Sequence, residues 1–119
     1  MTHDDVSLIE RELGITAHDD YRALVTDYPA ALQKHAAASE LLDDPARVIE
    51  INRAVRTGVF YDVTWPEEYF AIGETPRGDY YCLDLTNDSP PVIFFDHETQ
   101  SFVERAASLQ EWIGKWGGG

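Results

Sequence analysis

The chain has 119 residues, of which 44% are hydrophobic and 12% aromatic. This length suits a single domain, and this composition excludes a disordered chain. There are 22 aspartates and glutamates against 9 lysines and arginines, which gives a formal net charge of -13. A chain this acidic repels nucleic acid and anionic membrane surfaces, so we expect neither as a partner.

The sequence also indicates the cellular compartment in which the protein is found. No apolar run approaches the ~18 residues that a membrane-spanning helix needs. The segment Met1–Asp5 carries acids where a signal peptide needs positive charge. The single cysteine, Cys82, excludes an intrachain disulfide and fits a reducing environment. We therefore expect a soluble cytoplasmic protein. Its acidity has two interpretations that composition leaves open: solubility alone, or attraction of a basic protein partner.

The first half of the chain has helical periodicity. Val6, Ile9 and Leu13 follow the spacing i, i+3, i+7, and Gly14 follows them as a helix stop. A second helix is predicted to begin at a Thr16 cap.

A third helix is predicted from Asp44, a helix cap, and Pro45 at the first helical position. Apolar residues with helical spacing follow and define its buried face. The stretch Ala30–Leu42 is harder to assign, because its alanines favour helix whereas Leu41–Leu42 also fits a short edge strand.

The second half of the chain has the alternating period of strands. Strand-like runs occur at Tyr69–Gly73, Tyr80–Leu85, Val92–Asp96 and Phe102–Arg105, with turn residues between them. A capping box at Ser108–Glu111 predicts a closing helix. The expected fold class is therefore α+β, with N-terminal helices, a mixed or antiparallel sheet of about four to six strands and a closing C-terminal helix.

Three segments, Gly78–Leu85, Pro91–Glu98 and Ala106–Ile113, resemble the SUKH superfamily in their motifs, order and spacing. This superfamily includes fungal Smi/Knr cell-wall regulators and many bacterial immunity proteins. One departure is Leu109, where the family usually has phenylalanine. The resemblance implies one SUKH-like domain over residues 1–116, followed by a flexible glycine tail at 117–119. It assigns structural motif positions to Gly78, Asp79, Leu83, Asp84, His97, Ser108 and Trp112.

The resemblance implies protein binding rather than catalysis, and no cofactor. Bacterial members are similar to proteins that neutralise a cognate secreted toxin in a stoichiometric complex. Nucleases are frequent among such toxins and carry basic surface to hold phosphates, so a basic toxin is the leading expectation for the partner of this acidic chain. The alternative is a regulatory binding module of Smi/Knr type without a toxin.

Candidate binding residues concentrate between the third helix and the sheet, where residues 60–69 hold four aromatics and three acids. Tyrosine and tryptophan dominate interface hot spots, and surrounding acids would favour a basic partner. The alternative is that Phe60 and Trp65 pin this connection to the core. The first candidate patch is Tyr61, Asp62, Trp65, Glu67 and Glu68, and the second is Asp43, Asp44 and Asp88.

No residue pattern indicates catalysis or a metal. Asp79 follows Gly78 and is expected to bond the backbone of a turn. Asp96 and Glu98 flank His97, but strand alternation would direct the histidine away from both acids, and zinc needs three or four ligands. We therefore predict no catalytic residue, no metal and no cofactor.

Overall fold

The computed structural model describes residues 1–26, 41–42, 44–57, 65–109 and 111–112. The fold is α+β, as predicted, with three helices followed by a four-stranded antiparallel sheet in the described residues. In chain order the elements are α1 His3–Leu13, α2 Asp19–Thr26, α3 Pro45–Arg56, β1 Tyr69–Glu74, β2 Tyr80–Asp84, β3 Val92–Asp96 and β4 Ser101–Ala106.

The first and third helices begin and end on local signals. Thr2 and Asp5 form a capping box at the start of α1, and Gly14 ends that helix with φ 66°, a left-handed conformation that glycine adopts without strain. Asp44 caps α3, because its carboxylate accepts the Ala46 N–H at 3.1 Å. The apolar faces predicted from spacing are buried against the sheet and each other.

The second helix begins later than predicted. Asp19 is its first residue, and His18 acts as the cap, since the His18 Nδ1 accepts the Asp20 N–H at 3.1 Å. The Ala17 N–H instead donates to the Glu10 carboxylate at 2.8 Å. The predicted Thr16 cap is therefore wrong, because a contact from α1 holds the preceding residues outside the helix.

The sheet is a meander in the order β1-β2-β3-β4, with every neighbouring pair antiparallel. Tyr80 pairs with Phe95 and Tyr81 pairs with Phe94, and neighbouring residues of a strand point to opposite faces. Trp65 contacts the first pair, with its ring centroid 5.3 Å from that of Phe95. Aromatic packing therefore occurs on both faces of the sheet.

The β1 edge is covered by side chains and a short segment rather than by a full strand. Asn52 of α3 is fully buried; its amide nitrogen donates to the Ala71 carbonyl at 3.0 Å and its oxygen accepts the Ala71 N–H at 2.8 Å. The Leu42 N–H donates to the Ile72 carbonyl at 2.9 Å, and Leu41 forms an isolated bridge with Gly73. Leu41–Leu42 therefore pair with the β1 edge through a single bridge, which fits the edge-strand interpretation but is shorter than a strand; residues 30–40 lie outside the described part.

The closing helix is described only at its start. The Ser108 hydroxyl accepts the Glu111 N–H at 3.1 Å, and the Glu111 carboxylate accepts the Ala107 N–H at 2.9 Å. Trp112 is buried, with its ring centroid 4.9 Å from that of Tyr81. The predicted cap at Ser108 is present, and the helix beyond Trp112 remains a prediction. Within the described ranges, no helix is long and apolar enough to span a bilayer.

Candidate acidic binding groove

Two adjoining cavities of about 440 and 380 Å³ form a groove between the start of α2 and two turns of the sheet. They share Thr16 and Leu85 as lining residues. The first also contacts Asp19 and Asp88, and the second contacts Glu67 and Glu68. We call this surface the acidic groove. It unites Glu67, Glu68 and Asp88, which the sequence placed in two separate candidate patches.

The β2–β3 turn is ordered by Asp84, one of the family-motif positions. Its Oδ1 accepts hydrogen bonds from the Thr86 backbone N–H at 3.0 Å and from the Thr86 hydroxyl at 2.6 Å. Its Oδ2 accepts a hydrogen bond from the Asn87 side-chain Nδ2 at 3.1 Å. An aspartate that bonds the backbone two residues ahead stabilises a turn. Asp84 therefore positions the Asn87–Asp88 wall of the groove.

A histidine joins the two walls. The His18 Nε2 lies 2.5 Å from the Asp88 carbonyl oxygen, 70 residues away in the chain. His18 also caps α2, so one side chain fixes both the helix start and the far turn. Leu85 is half-buried between the two cavities and offers an apolar floor.

Among the described residues, Arg56 is an arginine whose charge interacts with a groove acid, since the Glu67 carboxylate acts to raise the Arg56 pKa against the larger lowering by burial. In the described part of the chain, Arg22 pairs with Glu10, Arg47 with Glu74 and Glu50, and Arg53 with Glu12, and none of these four glutamates lines the groove. Arg56 donates to the Glu67 backbone carbonyl at 3.3 Å, not to its carboxylate. No ion pair to Glu67, Glu68 or Asp88 occurs among the residues described. Because like charges converge on a concave surface, the groove concentrates a negative field.

Trp65 requires a correction, because the structure places it in the core rather than on a binding surface. It is 5% exposed, its Nε1 donates to the Tyr69 carbonyl at 2.9 Å, and its ring centroid lies 5.1 Å from that of Phe102. A partner has no access to this side chain. The alternative, that Trp65 pins the connection to the core, fits these contacts.

Asp44, a candidate of the second patch, lies outside the groove. Asp44 is exposed, but it caps α3 and does not line either cavity. Tyr61, Asp62 and Asp43 lie outside the described residues, so their inclusion in a binding surface stays a prediction.

Two more motif residues, Asp79 and His97, join the β1–β2 turn to the β3–β4 turn. The Asp79 Oδ1 accepts the His97 backbone N–H at 3.0 Å and lies 2.5 Å from the His97 Nδ1. The Thr75 hydroxyl donates to the other Asp79 oxygen at 3.2 Å. Gly78, with φ 91°, allows the tight turn before Asp79. The pair therefore has a structural role.

Both pKa values reflect this contact. Burial alone would raise the pKa of Asp79, but hydrogen bonds from the His97 backbone and ring and from Thr75 favour the carboxylate, and the net shift is downward. The pKa of His97 is raised, chiefly by its hydrogen bond to Asp79. Each partner stabilises the charged form of the other.

Asp79, Asp96 and His97 each place one potential metal ligand within 4.8 Å of the others. Strand alternation had predicted that His97 points away from Asp96. The two side chains instead lie close together, because β3 ends at Asp96 and the chain turns at His97. The Asp79 Oδ1 and the His97 Nδ1 are, however, engaged with each other. The cluster fits a turn-locking contact rather than a metal centre.

Cys82 is fully buried on β2. Burial, and secondarily the Asp84 carboxylate, raise the pKa of its thiol. A thiol that is protonated and inaccessible at neutral pH is not an effective nucleophile. Leu83, the motif residue beside it, is 1% exposed and belongs to the core.

Sequence reasoning missed several groove residues, namely Thr16, His18, Asp19 and Leu85. The Asp84-x-Thr86 turn pattern signals an ordered turn before Asp88. No local pattern signals the approach of α2 to that turn, because the contact joins residues 70 positions apart.

The sequence profile of the SMI1 / KNR4 family (SUKH-1) matches residues 1–115. Comparisons with curated proteins and with solved structures give no match. The chain belongs to the SMI1 / KNR4 family (SUKH-1), as its motifs predicted.

Proposed function

We propose that this SUKH-1 family member is an immunity protein that binds and neutralises a cognate toxin, without catalysis and without a cofactor. Immunity is an activity for which the family is known, and the acidic groove supplies a surface for a basic partner. The leading candidate is a nuclease that acts in the cytoplasm, where the immunity protein would also reside.

One observation carries the proposal: acids from three separate segments of a SUKH-1 protein converge on one groove. Asp19 precedes the body of α2, Glu67 and Glu68 precede β1, and Asp88 follows β2. A solubility role needs charges only on the surface, whereas convergence around an apolar floor fits recognition.

The partner chemistry follows from the groove. Lysine or arginine side chains would meet Glu67, Glu68 and Asp88, and an apolar side chain would contact Leu85. Charged rims accelerate encounter and set specificity, whereas desolvated apolar anchors slow dissociation. The nucleic-acid-binding surface of a nuclease carries lysine and arginine side chains of this kind. A protein that covered that surface would prevent the nuclease from binding its substrate.

The test compares three forms of the chain as bait in extracts of the native host. These are the wild type, a groove variant carrying Glu67→Gln, Glu68→Gln and Asp88→Asn, and a control variant carrying Asp4→Asn, Glu98→Gln and Glu104→Gln. Both variants lose three negative charges from exposed positions, so their net charges match. We expect the wild type and the control to capture one basic protein in equal stoichiometry.

The expected loss of affinity in the groove variant is about 30-fold or more in Kd, equivalent to roughly 2 kcal/mol. Leu85→Ala is expected to weaken a complex that persists at about 0.5 M salt, where screening removes most of the charge attraction. Equal capture by the groove and control variants would refute the assignment of this surface. Capture of no single partner would favour the regulatory-module alternative.

A further inference from the structure

His18 lines the acidic groove, but its ring is committed to contacts within the protein. Its Nδ1 accepts the Asp20 backbone N–H at 3.1 Å, and its Nε2 lies 2.5 Å from the Asp88 carbonyl oxygen. The side chain is 22% exposed. Because both ring nitrogens are engaged, the imidazole has no hydrogen-bonding atom left for a partner. A role of His18 in polar recognition must therefore act through another residue.

The two contacts fix the tautomer of His18. A backbone N–H donates, so the Nδ1 that faces Asp20 is the acceptor and carries no proton. A carbonyl oxygen accepts, so the Nε2 that faces Asp88 is the donor. The neutral imidazole with its proton on Nε2 satisfies both contacts at once. A side chain that offers only one of these two groups keeps only one contact, so substitution can separate them.

The contact with Asp88 is the one that shapes the groove. Asp84 orders the front of the β2–β3 turn through its bonds to Thr86 and Asn87. Asp88 lies beyond those bonds and is exposed, and among the described residues it forms one hydrogen bond, with His18. Holding a turn residue in one conformation costs entropy that such a bond offsets. His18 therefore holds Asp88 against the start of α2.

We propose that His18 is a positioning residue for partner recognition. Its Nε2–H holds the backbone of Asp88, so that the Asp88 carboxylate stands on the groove wall where a lysine or arginine of the partner would meet it. This inference rests on the proposed function, in that it takes the acidic groove as the binding surface. A carboxylate that is ordered before binding loses less conformational entropy on binding, and affinity is higher for that reason.

Two substitutions separate the two contacts of His18. In His18→Gln the amide nitrogen stands as many bonds from Cβ as Nε2 does, so the donor to Asp88 is retained, whereas the acceptor that caps α2 is lost. His18→Asn retains an acceptor suited to a helix cap but is too short to reach the Asp88 carbonyl. Each substitution removes one hydrogen bond, so a similar fall in Tm of about 3–5 °C is expected for both.

The probe is the peptide acetyl-Lys-Leu-Lys-amide, whose lysines match the groove acids and whose leucine matches Leu85. Amide resonances of the ¹⁵N-labelled full chain report its binding, with an expected Kd on the order of 1 mM for the wild type. His18→Asn is expected to raise this Kd about fivefold, and His18→Gln by less than about twofold. His3→Asn is the matched control, because His3 is exposed on α1 and lines neither cavity.

A double substitution tests whether His18 acts through Asp88. In the Asp88→Asn background, His18→Asn is expected to raise the Kd by less than about twofold, because the carboxylate that His18 positions is already gone. The heteronuclear ¹⁵N NOE of Asp88 in the free chain gives a second reading that needs no ligand. It is expected to fall in His18→Asn and to keep its wild-type value in His18→Gln. If His18→Asn does not fold, His18→Ser, another short capping side chain, replaces it.

The outcomes distinguish this proposal from the proposed function. An equal Kd for the wild type and His18→Asn, with binding lost in the groove variant, would overturn the positioning role alone. Weaker binding by His18→Gln than by His18→Asn would mean that His18 acts only as a helix cap. A full fivefold effect in the Asp88→Asn background would mean that it does not act through Asp88. No saturable shift in the wild type up to about 20 mM peptide, or equal binding by the groove variant, would refute the acidic groove and this proposal with it.

Discussion

Asp79 and His97 lie just before β2 and just after β3, and their contact ties together two turns at the same end of the sheet. Asp79 is 7% exposed and His97 is half-buried. A buried carboxylate is stable only when its oxygens are bonded, and here His97 and Thr75 bond both. The motif spacing thus encodes a turn-to-turn lock rather than a reactive pair.

Asp79→Asn tests this lock. The substitution removes the negative charge and leaves the His97 ring facing an amide. The free energy of unfolding at pH 6 is expected to fall by about 1–3 kcal/mol, as measured by urea denaturation. Asp88→Asn, at an exposed turn position, is the control and is expected to change it by less than about 0.5 kcal/mol. Equal effects of the two substitutions would contradict the lock.

The stabilisation from the Asp79–His97 contact is expected to decrease both at low pH and at high pH. Asp79 has a lowered pKa in the fold, so its contribution is present above the unfolded value of about 4 and is lost as pH falls through the folded pKa. His97 has a raised pKa, so its contribution is present below about 6.5 and is lost as pH rises through the folded pKa.

The difference in unfolding free energy between wild type and Asp79→Asn is therefore expected to be largest between about pH 4 and 6.5. Urea denaturation from pH 3 to 9 measures this profile. A difference that stays constant across that range would show that the His97–Asp79 contact carries no charge-dependent stability.

Cys82 offers a probe of core opening. It is fully buried and its thiol pKa is raised by burial. A thiol reagent is expected to label the native chain at least ~10³-fold more slowly than the urea-unfolded chain, because labelling requires opening of the core. Absorbance of the released chromophore gives both rates. Native labelling within tenfold of the unfolded rate would contradict the burial of this strand.

At the scale of elements, Asn52 connects α3 to the sheet edge. Its side chain bonds the Ala71 N–H and carbonyl, and it also donates to the Val48 carbonyl at 2.8 Å. An edge strand presents unpaired backbone groups that need partners when buried. Asn52 supplies those partners at a position where a further strand would otherwise do so.

Asn52→Ala is expected to reduce the free energy of unfolding by about 2–3 kcal/mol, because it leaves buried backbone groups of Ala71 unsatisfied. Urea denaturation measures the loss. Glu50→Gln, exposed on the same helix, serves as the control and is expected to change the value by less than about 0.5 kcal/mol. If Asn52→Ala is as stable as its control, another group forms hydrogen bonds with the Ala71 N–H and carbonyl at the β1 edge.

The elements could be predicted where their signals are local. Gly14, Asp44 and the alternating strands carry those signals, and the structure confirms them. The start of α2 could not be predicted, because the Ala17 N–H bonds Glu10 and His18 reaches Asp88. Such contacts form only when distant segments meet.

At the scale of the whole molecule, the charges are distributed unevenly. The acidic groove gathers Asp19, Glu67, Glu68 and Asp88 from three separate segments of the chain. A net charge of -13 alone indicates only solubility or a basic partner. The convergence of these acids on one groove is the observation that favours the second interpretation.

The candidate site was partly predictable from the sequence. Glu67, Glu68 and Asp88 are acidic residues in predicted connections, and loops often carry binding residues. Their union in one groove was not predictable, since it requires the β1–β2 pairing and the docking of α2. Trp65 was misplaced on the surface because aromatic residues next to acids fit both an interface and a core anchor.

The measurement that tests the central claim most directly is rescue of growth. The captured basic partner is expressed in a susceptible host alone, with the wild-type chain, with the groove variant and with the charge-matched control. We expect the partner alone to arrest growth, the wild type and the control to restore it, and the groove variant to fail at equal expression and stability. Full rescue by the groove variant, or a partner that is harmless when expressed alone, would contradict neutralisation of a toxin through the acidic groove.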